Sequence, residues 1–284
     1  MKLYAPSTIR EIKDRYGFQL SKSLGQNFLT DKNIIDKIID ATAITDEDLV
    51  IEIGPGIGVL TYEAAQKARK VTAIELDKNL IPILEDTLHD FDNVDIINQD
   101  VLKTDLNKMI AESGCRRAKI IGNLPYYITT PIIMGILESG VCADSITVMM
   151  QKEVADRIKS QPGTKVYGAL SVAVQYYCTV QTVAIVPKEV FFPVPKVDSA
   201  VLRLDIRKDK PVELIDEKMF FRCIKAGFGQ RRKTLANSLL GIGDVTKDAV
   251  KEGLSLAGID EKRRAETLSL DEFANLANYF SKRD

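Results

Sequence analysis

Three short stretches carry residue types that could hold a ligand. In "VIEIGPGIGVLTYEAA", Gly54, Gly56 and Gly58 form a Gly-x-Gly-x-Gly turn between a strand pattern and a helix pattern. Glycine permits a tight turn and close approach of a ligand to the backbone, and such a turn after the first strand of a doubly wound sheet lies at the ligand crevice. Glu75 closes the strand pattern "VTAIEL", at the distance beyond the glycines where a carboxylate accepts hydrogen bonds from ribose hydroxyls. The plainer alternative is a solvated strand-end carboxylate. Asp100 closes "IINQD", where it could accept from the exocyclic amine of an adenine ring or simply cap the next turn. The three strand ends describe a pocket for an adenosine-containing ligand. They leave NAD and S-adenosylmethionine both open. A phosphate ligand would want a helix-terminus cradle, whereas a sulfonium cation benefits from nearby carbonyl oxygens and carboxylates.

The stretch "KIIGNLPYYITTPIIMGIL" adds a reacting group. Lys119 to Gly122 read as the end of a buried strand, and Thr130-Pro131 as a helix N-cap followed by proline at the first helical position. Between them lie Asn123, Leu124, Pro125 and Tyr126. The exocyclic amine of adenine is a poor nucleophile because its lone pair is delocalised into the ring. Acceptors for both of its N–H bonds favour a pyramidal nitrogen and free that lone pair. The Asn123 side-chain carbonyl and the Leu124 main-chain carbonyl supply two such acceptors. Pro125 fixes the kink and has no N–H to compete. Tyr126 offers a face on which a base can stack, worth about 1–3 kcal/mol.

Composition removes other chemistries. The chain of 284 residues has one histidine, His89, in the polar setting "EDTLHDFDN", so neither a histidine triad nor a histidine-rich zinc site is expected, and no metal. Cys115, Cys142, Cys178 and Cys223 are scattered with no Cys-x-x-Cys pair and read as reduced core residues of a cytoplasmic protein. The net charge of −1 announces no global basic field, so nucleic acid would have to be held by local patches. No apolar run approaches the roughly 20 residues of a membrane span, and "MKLYAPSTIREIKDRYG" lacks the apolar core of a signal peptide, so no membrane contact is expected.

The elements that position these residues follow from periodicity. "LVIEI", "KVTAIEL", "VDIINQD", "AKIIGN" and "SITVMMQ" read as strands, alternating with the helical "VLTYEAAQKA", "NLIPILEDTL", "LNKMIAES" and "PIIMGILE". Strands apolar throughout and alternating with helices mean a parallel sheet covered on both faces. "TVQTVAIV" and "SAVLRLDI" are two further strands joined by "PKEVFFPVPKVD". The charged "RKDKPVE" marks a boundary, giving an α/β domain over residues 1–206 and a small all-helical domain over 207–284. In the latter, Arg231, Arg232 and Lys233 of "GFGQRRKTLANSL" sit at an apparent helix start, where the dipole disfavours cations. Three cations with free helix N–H groups would suit a phosphate backbone. A second run, Lys262-Arg263-Arg264, fits either a phosphate contact or a solvated face.

Taken together, these motifs resemble the ribosomal RNA adenine N6-dimethyltransferases, a family of S-adenosylmethionine-dependent enzymes. "SLGQNFLTD" (Ser23 to Asp31), "EIGPGIGVLT", "AIELD", "NQDVL", "GNLPYYI" and "FFPVPKVDSAVLRL" match the family's motifs in order, and "FGQRRKTLANSL" matches its bacterial housekeeping branch. The resemblance implies a Rossmann-like class I methyltransferase sheet with S-adenosylmethionine as cofactor. It implies that Gln26, Asn27 and Leu29 close over the cofactor, with Gly54 at its methionine portion, Glu75 at its ribose and Asp100 at its adenine, and Gly56 and Asn123 also among the residues that bind it. Asn123 would hold the target amine, Tyr126 would stack on the flipped adenine, and Phe191 would stack on its other face. The implied substrate is a pair of adjacent adenines in the 3′-terminal hairpin loop of 16S rRNA in an immature small subunit, bound by a monomer. Rival readings are an NAD-dependent dehydrogenase, a 23S rRNA methyltransferase of the antibiotic-resistance type, and an assembly factor whose binding outweighs its catalysis.

Overall fold

The computed structural model describes residues 2–18, 25–243 and 245–282; Ser23 and Leu24 of the amino-terminal motif lie outside them. The chain divides into two compact units, residues 1–155 with 180–206 and residues 156–179 with 207–284.

The first unit begins with α1 (Pro6–Tyr16), β1 (Phe28–Leu29) and α2 (Lys32–Thr42), the last capped by Asp31, whose carboxylate accepts from the N–H groups of Asn33 and Ile34. Then come β2 (Asp48–Ile53), α3 (Val59–Ala65), β3 (Lys70–Glu75), α4 (Ile81–Thr87), β4 (Val94–Asn98), α5 (Leu106–Glu112), β5 (Arg117–Asn123), α6 (Thr129–Glu138) and β6 (Ser145–Gln151). After α7 (Lys152–Lys159) and α8 (Ala169–Tyr177) follow β7 (Cys178–Val186), β8 (Phe191–Phe192) and β9 (Ser199–Ile206). Seven strands form one sheet in the order β4-β3-β2-β5-β6-β9-β7, with β4 through β6 parallel and β9 antiparallel to β6. Every residue of β2 is buried, as a central strand covered on both faces must be. The strand order reverses between β2 and β5, so their carboxyl ends border the crevice of a doubly wound sheet.

Two details differ from expectation. Helix α6 starts at Thr129 with Ile128 as N-cap, which puts Pro131 at the third helical position rather than the first. Its N–H would have no intrahelical partner there either, so proline is accommodated. The loop between β7 and β9 is also not a plain connection. Its β8 pairs antiparallel with β1, setting Phe28 opposite Phe192 and Leu29 opposite Phe191.

The second unit holds α9 (Glu217–Gly229), α10 (Leu235–Ser238), α11 (Lys247–Leu256) and α12 (Leu270–Ser281). One break near residue 207 is therefore an incomplete division, because residues 156–179 pack with these helices. Tyr167, Val172 and Tyr176 are buried in one cluster with Phe220, Leu239 and Phe273. The Tyr176 and Phe220 rings lie 5.1 Å apart, and the Tyr167 hydroxyl donates to the Leu268 carbonyl at 3.0 Å. "RRKTLANSLL" does not form one helix: its first four residues form a non-helical turn, and the four residues of α10 pass into a 3-10 turn over Leu239–Gly241. Of the cysteines, Cys178 and Cys223 are core residues, but Cys115 is half-buried and Cys142 exposed.

Candidate active site

One cavity collects most of the residues singled out by their types and spacing. It is lined by Gln26, Asn27 and Leu29, by Gly54 and Gly56, by Glu75 and Asp100, and by Asn123, Leu124, Pro125 and Tyr126. They arrive there because β2, β3, β4 and β5 run parallel and end on the same side of the sheet. Gly54, Gly56 and Gly58 all have positive φ, at 67°, 63° and 89°, which side-chain-bearing residues rarely adopt. At Gly56 a second constraint applies: a Cβ would lie 2.9 Å from the Phe28 ring, which packs on the turn.

Glu75 is 6% exposed at the end of β3. Its Oε2 accepts from the Gly56 N–H at 3.3 Å and its Oε1 from the Asp77 N–H at 2.8 Å, so the carboxylate is fixed in direction. Burial pushes its pKa up, opposed by those two main-chain bonds. Asp77, which the sequence reading did not single out, accepts from Gln26 Nε2 at 2.9 Å and ties the amino-terminal motif to the end of β3. Asp100 takes the capping role, its Oδ1 accepting from the Leu102 N–H at 3.0 Å, and the residue also lines the cavity.

At the end of β5, Gly122 has no room for a side chain, since a Cβ would sit 2.7 Å from the Ile53 carbonyl oxygen. That close approach brings Asn123 beside the glycine turn. Asn123 Nδ2 donates to the Asn27 carbonyl at 2.8 Å, which points Oδ1 away as the acceptor. The Leu124 N–H is held by the Met149 carbonyl at 3.1 Å, and the Pro125 carbonyl takes the Ile128 N–H at 3.2 Å and the Thr129 hydroxyl at 2.9 Å. Tyr126 shares a hydrogen bond of 2.7 Å between its hydroxyl and that of Ser199, the last residue of the "FFPVPKVDS" segment. Ser199 is a site residue that the motif match touched without assigning it a task.

Glu52 was also missed. It lines the cavity beneath the glycine turn, accepts from the Thr61 hydroxyl, and is 1% exposed. Burial raises its pKa to about 8, with Thr61 opposing and Glu75 adding to the shift. The signal that could have found it is a lone charge inside the otherwise apolar "LVIEI", a strand covered on both faces.

Two expectations need correction. Phe191 is 3% exposed and belongs to the core of the first unit, so it has no free face for a base. The reason is strand alternation: successive residues of a strand point to opposite sides, and in β8 the buried position is Phe191 while Phe192 is half-buried. In the second unit, Arg231, Arg232 and Lys233 are exposed, but in a turn that precedes a four-residue helix. The helix-start argument for an anion site therefore lapses. Arg231 is moreover occupied, donating to the Lys165 carbonyl at 2.9 Å and facing Glu266 at 3.4 Å. In the second basic run, Arg263 is likewise held by the Glu272 carboxylate, with Nη2–Oε2 at 3.0 Å.

The polar groups facing the cavity favour one of the two ligand chemistries. No lysine or arginine is among its described lining residues, whereas Glu75, Asp100 and the Asn123 side chain are acceptors. A diphosphate would find no cation there. A ligand carrying ribose hydroxyls, amino groups and a sulfonium finds acceptors and negative charge.

Comparison with known proteins agrees. The ribosomal RNA adenine dimethylase family model matches residues 17–282. A protein of Clostridioides difficile (strain 630) named ribosomal RNA small subunit methyltransferase A is 52% identical over 278 residues, spanning 98% of this chain and 96% of its own length. The crystal structure of a dimethyladenosine transferase from Plasmodium falciparum superposes with a TM-score of 0.77 at 25% identity, over 90% of this chain and 98% of its own. That of the 23S rRNA methyltransferase ErmE superposes with a TM-score of 0.68 at 27% identity, over 89% and 99%. With the whole cavity and nearly the whole chain inside the match, this protein belongs to the ribosomal RNA adenine dimethylase family of S-adenosylmethionine-dependent methyltransferases.

Proposed function

We propose that this enzyme transfers methyl groups from S-adenosylmethionine to N6 of two adjacent adenines in the 3′-terminal hairpin loop of 16S rRNA, acting as a cytoplasmic monomer on an immature small subunit. The observation that carries the reading is the Asn123 amide, held by the Asn27 carbonyl so that its oxygen is presented at a cavity walled by acceptors. When bound, S-adenosylmethionine supplies an electrophilic methyl group on a sulfonium that leaves as a neutral thioether. The protein's task is to place the amine in line with it. Proximity and orientation supply most of the advantage in such a displacement.

Glu75 holds the ribose hydroxyls and Asp100 the adenine amine of the cofactor. Gly54 and Gly56 let its methionine portion approach the backbone, and Gln26, Asn27 and Leu29 close over it. Asn123 Oδ1 and the Leu124 carbonyl accept the two N–H bonds of the target amine. Tyr126 stacks on the extruded base, its ring held by Ser199. The proton leaves to water after transfer, so a cavity without histidine suffices. The unit of residues 1–155 and 180–206 carries the chemistry, and the helical unit contributes phosphate contacts through Arg232 and Lys233.

The small-subunit name of the 52%-identical relative favours 16S over 23S rRNA as the substrate. The test is incubation with labelled S-adenosylmethionine and undermethylated small subunits, followed by mapping of the modified nucleotides. Label confined to the two loop adenines is the expected result. Label in large-subunit RNA, or none in the loop, would overturn the proposal.

A further inference from the structure

The residue after Tyr126 has no task in the scheme above. Tyr127 is 56% exposed, an unusual setting for a large aromatic side chain, yet it lines the same cavity as Asn123 and Tyr126. Its hydroxyl makes no hydrogen bond with a described residue. The ring is nevertheless seated. A Cβ at Gly25 would lie 3.5 Å from Tyr127 Cδ1, 3.7 Å from its Cε1 and 3.6 Å from Pro125 Cβ. The ring edge thus lies over the bare backbone of Gly25, which has a φ of +61°, where a side chain would be in van der Waals contact with it. Two consecutive tyrosines follow the proline kink. One is tied by its hydroxyl to Ser199, and the other stands at the mouth with its hydroxyl unengaged.

Extruding one adenine from a loop strips its neighbour of a stacking partner. We propose that Tyr127 stacks on the nucleobase adjacent to the target adenine, replacing the partner lost on extrusion. The inference rests on the reading of the cavity as an adenine methylation site. A seated aromatic ring gives up little conformational freedom on binding a base, and base–aromatic stacking tolerates any base. Such a contact forms on binding and persists in the transition state, so its loss falls on KM rather than on kcat.

The test uses small subunits assembled with a synthetic 3′ RNA segment carrying either the natural loop or an abasic nucleotide in place of one of the two adenines. On the natural loop, Tyr127→Ala is expected to raise KM by about 5- to 150-fold, the range that base–aromatic stacking spans, with little change in kcat. Tyr127→Phe is expected to retain the wild-type KM, because the ring and not the hydroxyl is used. On the abasic loop the wild-type enzyme is expected to show the raised KM, and Tyr127→Ala to add no further loss. An unchanged KM for Tyr127→Ala on the natural loop would overturn the inference. So would an equal loss on both loops, which would mark Tyr127 as structural or as a phosphate contact. If the wild-type enzyme transfers no methyl group to the natural loop, the adenine reading itself fails and the inference fails with it.

Discussion

Asn123 Nδ2 donates to the Asn27 carbonyl at 2.8 Å, joining the end of β5 to a residue that precedes it by 96 positions. The bond engages the nitrogen end of the amide and leaves the oxygen end free. It also ties the amino-terminal motif to the end of β5 in the wall of the same cavity.

The first expected outcome concerns that amide. Its oxygen matters most as the target nitrogen becomes pyramidal, so Asn123→Ala should lower single-turnover methylation. Preorganised groups of this kind contribute about 10²–10³ in rate. Cofactor affinity, measured by calorimetry, should stay close to wild type. A rate within a fewfold of wild type would refute the role given to Asn123.

Ser199 and Tyr126 form the next pair. Tyr126→Phe and Ser199→Ala each remove the same 2.7 Å hydrogen bond. Each should weaken methylation by a similar amount, on the order of 0.5–1.5 kcal/mol in transition-state terms. The double mutant should lose no more than either single mutant, because neighbours sharing one bond are not additive. Fully additive losses would separate the two residues.

Glu75 should govern cofactor affinity. Glu75→Ala removes the buried carboxylate that accepts from Gly56 and Asp77 and is assigned to the ribose. Binding of S-adenosylmethionine should weaken by about 1.5–3 kcal/mol, the range for hydrogen bonds to a charged group. Glu75→Gln keeps one acceptor oxygen and should recover part of the loss. Unchanged affinity in folded Glu75→Ala would remove the residue from the site.

A pH dependence follows from Glu52. Burial raises its pKa from 4.5 to about 8 in the folded protein. Between those values the native state holds a proton that the unfolded chain releases. Stability contributed by this group is therefore full below about pH 4.5 and lost as pH rises toward 8. The slope is at most about 1.4 kcal/mol per pH unit. Urea unfolding across this interval should show a steeper decline for the wild type than for Glu52→Gln. Parallel curves would show that Glu52 ionises as an ordinary glutamate.

Arg232 and Lys233 should carry the phosphate contacts, with Arg231 apart from them. Replacing Arg232 and Lys233 with alanine should weaken subunit binding and reduce the log–log salt slope by about 1–2 units. Arg231→Ala should instead lower the stability of the helical unit, because it leaves Glu266 and the Lys165 carbonyl without their partner. Weakened subunit binding by the double mutant at an unchanged slope would contradict the phosphate assignment.

The central strands, the glycine turn and the family were legible in the sequence because their causes are local. A strand covered on both faces is built mainly of apolar residues, as "LVIEI" is apart from Glu52, and a turn with positive φ at Gly54, Gly56 and Gly58 needs glycine whatever surrounds it. The ends of four parallel strands then converge by topology alone. What tertiary structure decided depends on partners distant in sequence. Phe191 turns into the core because β8 pairs with β1, and no periodicity in a two-residue strand announces which side is buried. Arg231 is occupied because Lys165 and Glu266 lie beside it in the folded unit. Residues 156–179 join the carboxyl-terminal helices because the aromatic surface of Tyr167 and Tyr176 is buried only there. The Asn123 amide acquires its direction from the Asn27 carbonyl, since a side-chain torsion is set by the groups that surround it and not by the chain that carries it.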